Sequence, residues 1–153
     1  VPEITKKTIE DMYELRAWLE LKAVEVLLSA PAIRYSLLLG VLGEIEKDDH
    51  NRTVEDYYKI DILFHKTILK MSENRAILQA WETISSVIYS LLSVNASREY
   101  RDRYMREFRE KHKGIIDLLI LRDRCCLDLM RRHIEDSKDL TLGVLREIGQ
   151  GAH

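Results

Sequence analysis

The chain has 153 residues, 46% hydrophobic and 33% charged, with a formal net charge of −2. That length suits one domain with a core of its own, and the composition excludes a disordered chain. A pI of about 6.2 excludes a strongly basic surface for DNA or RNA.

The N-terminus, VPEITKKTIEDMYELR, is charged and is no signal peptide. Cys125 and Cys126 are adjacent, so no disulfide framework is implied and a reducing, cytoplasmic compartment is expected. Glycine and proline are scarce, and apolar spacings of three and four recur throughout. The pattern predicts an all-α domain, a bundle of six to seven helices. Helix one is expected over Thr5–Ser29, stopping near Pro31. Helix two follows from Ala32 to Lys47, then a polar loop, DDHNR, which holds His50 and reads as solvated. Thr53 and Asp56 form a capping-box pattern at the start of helix three, which runs to Met71. Ser72–Glu73–Asn74 breaks the chain, and Asn74 caps a fourth helix reaching Asn95. Helix five covers Tyr100–Leu121, and Asp123 caps helix six, which extends to Ile148. The longest charge-free run, Thr83–Ser97, is too short by itself for a membrane span of about 20 residues.

The informative residues are polar ones on apolar stripes. In YYKIDILFHKTI, Ile60, Phe64 and Ile68 mark a buried face, and Asp61 and His65 fall on it four residues apart. His112 interrupts the stripe of Met105, Phe108, Ile115, Ile116 and Leu119. His133 sits among Cys126, Leu129, Met130 and Ile134. Each alone reads as a satisfied core residue. Together, three imidazoles and a carboxylate from three helices form a ligand set for Zn, Ni, Mn or Fe, of the kind built inside helical bundles.

Arg16 lies on the stripe of Met12, Leu19, Ala23, Val26 and Leu27. Two readings are open: a stem that packs while the head reaches water or pairs with Glu20, or a guanidinium held for a ligand's carboxylate. Ser86, Ser90, Ser93 and Ser97 form a small polar stripe on helix four. It lines a cavity, faces solvent or packs closely in a dimer. The two cysteines read as small core residues, and the alternating charges of 98–113 read as a solvated helix face.

The segments MYELRAWLE (12–20), DILFH (61–65), MSEN (71–74), EKHKGII (110–116) and LMRRHIEDS (129–137) resemble, in order, the C-terminal effector-binding (FCD) domain of FadR-subgroup GntR-type transcriptional regulators. The resemblance implies an antiparallel bundle with an internal metal and ligand cavity. It implies a divalent metal (Zn, Ni or Mn) on Asp61, His65, His112 and His133, and a small organic carboxylate effector beside Arg16. It further implies a homodimer, and DNA binding only through an N-terminal winged helix-turn-helix domain missing from this chain. Residues 1–4 then read as the end of the interdomain linker and 5–150 as the ligand-binding domain. Three positions depart from the family pattern: Lys111 stands where a Glu usually precedes the third ligand, Glu73 replaces a glycine, and Arg122–Asp123 replaces Gly-Asp. The chain is not expected to be an enzyme, because no further acid on the inward stripes offers a general base. The rival readings are a metal-dependent hydrolase and a purely structural dimerisation module.

Overall fold

A computed structural model describes residues 3–47 and 49–151 of the chain. Val1 and Pro2 of the expected linker, and Asp48 of the DDHNR loop, lie outside the described residues. Six α-helices follow one another: α1 (Lys6–Ser29), α2 (Tyr35–Glu46), α3 (Val54–Met71), α4 (Arg75–Asn95), α5 (Arg98–Ile120) and α6 (Cys125–Gly151). Among the described residues there is no strand.

The helix starts obey local chemistry. Thr5 Oγ1 accepts the Thr8 N–H, Asn74 Oδ1 accepts the Ile77 N–H, and Asp123 Oδ1 accepts the Cys125 N–H. Thr53 and Asp56 cap one another reciprocally. Two starts differ from expectation. α2 begins at Tyr35 rather than Ala32, and Leu37 N–H closes its first turn on Arg34. α5 begins two residues early because Ser97 Oγ accepts the Tyr100 N–H. Ser97 is therefore a cap, while Ser86, Ser90 and Ser93 face outward.

The two family departures at helix ends carry a conformational cost. Glu73 has φ 59° and Arg122 has φ 54°, both in the left-handed region that glycine occupies freely. Glu73→Gly is expected to raise the unfolding free energy by up to about 1 kcal/mol, measured as a higher denaturant midpoint at unchanged slope.

α1 packs along α6 and also against α3, α4 and α5, while α3 touches α1, α2, α4 and α5. These two helices bring their polar inward residues to the centre of the bundle. Around them lie Trp81, Phe64, Phe108, Ile115, Ile116 and Met130, all fully buried. α4 is long and apolar enough to cross a membrane by length and composition. Its Trp81, Ile88 and Leu92 instead pack into the bundle. Cys126 joins the core as expected, but Cys125 is exposed, one position round the first turn of α6.

Candidate metal centre

Asp61 and His65 project inward from α3, His112 from α5 and His133 from α6, and all four are buried. One ligand-type atom from each lies within 4.8 Å of the others. Asp61 Oδ1 is 3.0 Å from His65 Nε2 and 3.0 Å from His112 Nε2. His133 Nε2 is 3.4 Å from His65 Nε2. The tertiary fold thus brings together the four residues selected from the sequence.

The hydrogen bonds behind these atoms decide what the cluster can hold. His112 Nδ1–H donates to the Phe108 carbonyl at 2.7 Å. His65 Nδ1 makes a close contact with Glu20 Oε1, and neither atom has another hydrogen-bond partner among the described residues, so an Nδ1–H has only this carboxylate, which can only accept, to face. Each ring therefore commits its Nδ1 proton outward. In the neutral rings both Nε2 atoms carry lone pairs, and both face Asp61 Oδ1, another acceptor. Arg16 Nη2 donates to His65 Nε2 at 3.1 Å, so Asp61 Oδ1 and His112 Nε2, 3.0 Å apart, are the acceptors left needing a proton or a cation between them. This donor set fits a divalent metal, and its carboxylate–histidine arrangement is the one that orients metal-binding imidazoles.

The electrostatics differ from one member of the cluster to the next. Burial alone would raise Asp61, but His112 and His65 beside it hold its carboxyl well below the ordinary range. Burial, with His112 and His65 nearby, pushes His133 well below 6.5, so near neutral pH it is an uncharged imidazole able to ligate. Burial opposes protonation of His65 too, yet the Glu20 carboxylate outweighs it and the net direction is upward.

Arg16 corrects part of the sequence reading. Its head does not reach water: the residue is buried and its Nε donates to Glu20 Oε2 at 2.6 Å. Its Nη2 lies 3.1 Å from His65 Nε2, at the edge of the cluster. The inward face of α1 is Ile9, Tyr13, Arg16, Glu20, Ala23, Val24 and Leu27, whereas Val26 is exposed and Met12 and Leu19 are half-buried. So a further acid does sit on an inward stripe. Burial would raise Glu20, but Arg16 and His65 bring it down to about 2. With one oxygen on each of those partners, Glu20 is not free to serve as a base.

Sequence reasoning also missed Tyr104, whose hydroxyl donates to Asp61 Oδ2 at 2.7 Å. Burial, then Asp61, raises this phenol well above 10, so it stays protonated and donates. The signal was present: Tyr100, Tyr104, Phe108 and His112 repeat every four residues along α5. On the outer side of α5, Arg103–Glu107 and Lys111–Glu107 form the expected solvated ladder.

A cavity of about 30 Å³ touches the cluster, bordered by Arg16, Asp61, His112, His133 and the rings of Tyr13, Tyr89 and Tyr104. That is room for roughly one water. A groove of about 720 Å³ runs outside it between α5 and α6, and Tyr100, Lys111 and Leu140 line both spaces.

The fold and the site together are thus an all-α bundle with a buried Asp-His₃ cluster beside an arginine. The chain belongs to the FCD domain family, whose description matches residues 11–136. It is 27% identical over 112 residues to the uncharacterised HTH-type transcriptional regulator YdhC of Bacillus subtilis (strain 168), covering 71% of this chain and 50% of that protein. The chain thus spans about half the length of the curated relative it matches. A solved structure, the metal-free FCD domain of TM0439, superimposes with a TM-score of 0.73 at 20% identity, over 95% of this chain and 99% of that one. At that identity the likeness is one of fold.

Proposed function

We propose that this chain is the metal-containing effector-sensing domain of a bacterial transcriptional regulator. The observation that carries the reading is the convergence of Asp61, His65, His112 and His133, with the His65 and His112 Nδ1 atoms tied outward. These four would hold a divalent ion, with Zn, Ni and Mn all suited to one oxygen and three imidazole nitrogens. When bound, such an ion supplies a Lewis-acid point for a small organic carboxylate. Arg16 supplies a guanidinium beside it, and Tyr104 holds the second oxygen of Asp61.

The cavity is smaller than any carboxylate. Effector entry would therefore part Tyr100, Lys111 and Leu140, where cavity and outer groove meet, and shift α5 against α6. A preceding DNA-binding domain, joined through residues 1–4, would receive that shift; the family and the helix-turn-helix relative of about twice the matched length support this arrangement. The metal content of purified wild type and of the Asp61→Ala/His65→Ala variant tests the reading. About one ion per chain is expected in the first and none in the second. Equal, near-zero metal in both would sink it.

The domain would act as a cytoplasmic homodimer, and α4 offers the surface. Ser86, Ser90, Ser93 and Val94 face outward, in a run without charge from Thr83 to Ser97 on a chain that is 33% charged. α1, packed beside α4, exposes Leu15 and Trp18. Small side chains at a helix–helix contact let the two axes approach closely. Ser90→Arg is expected to shift the chain from dimer to monomer in sedimentation analysis, with its circular dichroism unchanged. A monomeric wild type, or a dimer indifferent to the arginine, counts against this face.

A further inference from the structure

We propose that Glu20 is the positioning residue of the metal centre: it fixes His65 in the ligating tautomer and restrains the Arg16 cation beside it, and so sets the affinity for a divalent ion. This inference rests on the metal-site reading above.

Glu20 is buried on α1, and its two oxygens serve different partners. Oε1 contacts His65 Nδ1 on α3, and Oε2 accepts from Arg16 Nε. The first contact locks the imidazole with Nδ1–H toward Glu20 and the Nε2 lone pair toward Asp61, His112 and His133. Such a carboxylate partner orients the ring and makes its free nitrogen a better donor to metal. The second contact concerns charge. Arg16 Nη2 lies 3.1 Å from the nitrogen that would ligate the ion. An uncompensated guanidinium there would repel a divalent cation, and in a buried site that repulsion is weakly screened. Glu20 neutralises it and holds Arg16 by Nε. The ring is further confined by Trp81, stacked on His65 with centroids 5.9 Å apart, so Glu20 acts on a ring with little freedom left.

Glu20 thus acts by two separable routes, tautomer and charge. Glu20→Gln impairs both. Arg16→Met/Glu20→Gln removes the cation as well and impairs only the tautomer. The probe is Zn²⁺, with affinity read by competition against a chromophoric chelator. The second readout is the hydrogen-bonded Nδ1–H signal of His65 in NMR, which mere loss of packing does not reproduce.

Glu20→Gln is expected to bind Zn²⁺ 10–100-fold more weakly than wild type. The double variant is expected to recover part of that loss, and the His65 signal should be absent or shifted in both. The double variant buries no charge at 16 or 20, so it keeps the comparison available should Glu20→Gln alone fail to fold. Wild-type affinity in Glu20→Gln, or full recovery in the double variant, would overturn the positioning role while leaving the metal site standing. A wild type that binds no Zn²⁺, Ni²⁺ or Mn²⁺ would overturn the metal reading, and this inference with it.

Discussion

A divalent ion at about a thousand times its dissociation constant is expected to raise the unfolding free energy of this domain by about 4 kcal/mol. For a chain of this size that is roughly 10 °C in thermal midpoint. The physical reason is mass action: the four ligand atoms lie within 4.8 Å only in the folded chain, so metal binds the native state and not the unfolded one. His112→Ala removes a ligand from α5 that no neighbour replaces, and the gain should vanish with it. Differential scanning calorimetry with added Zn²⁺, then with EDTA, makes the measurement. A midpoint indifferent to both would mean that Asp61, His65, His112 and His133 form a protein-only network. Circular dichroism of the variant checks that its helices are kept, so that loss of the gain reads as loss of the site.

The second large effect concerns the pair beneath the site. Arg16→Ala is expected to destabilise the chain by about 3–5 kcal/mol, because it strands the Glu20 carboxylate in a buried position. Replacing both, as Arg16→Met/Glu20→Met, should cost far less, since two unbranched apolar side chains fill similar space with no charge to desolvate. The non-additivity is the signature of the pair. It also has a pH dependence whose sign is set by Glu20. Its carboxyl falls from an ordinary value of 4.5 to about 2 on folding. The folded state therefore binds fewer protons than the unfolded state between those values, and the contribution is fully present above about pH 4.5. It is lost as pH falls toward about 2. The double variant lacks this group and should lose stability less steeply over that window, measured by urea denaturation.

Much of the centre was legible before any coordinates. A capping box, an asparagine cap and a four-residue spacing are local features, carried by neighbours in the chain. Thr53, Asp56 and Asn74 hold the ends they were expected to hold. Asp61, His65, His112 and His133 stand out because each interrupts an apolar stripe. A stripe states which face points inward whatever the helix packs against. Where the expected α2 and α5 starts moved by two or three residues, the cause was again local: the chain after Pro31, and the hydroxyl of Ser97.

The residues behind the ligands were not legible in the same way, and the reason is physical. Arg16 and Glu20, four apart on α1, have the sequence of an ordinary exposed ion pair. Whether such a pair is wet or buried depends on what covers it, and its cover comes from His65 and Trp81, more than forty residues away. Tyr104 carried a spacing signal, but a phenol on a stripe reads equally well as packing until Asp61 is placed opposite its hydroxyl. By itself the sequence determined the all-α class, the caps at Thr53, Asn74 and Asp123 and the four side chains that meet, because periodicity and capping act over one or two turns. Only the tertiary structure decided how those four are held. The Glu20 carboxylate between Arg16 and His65, the Tyr104 hydroxyl on Asp61 and the narrow cavity beside them all depend on distances between helices that no single helix encodes.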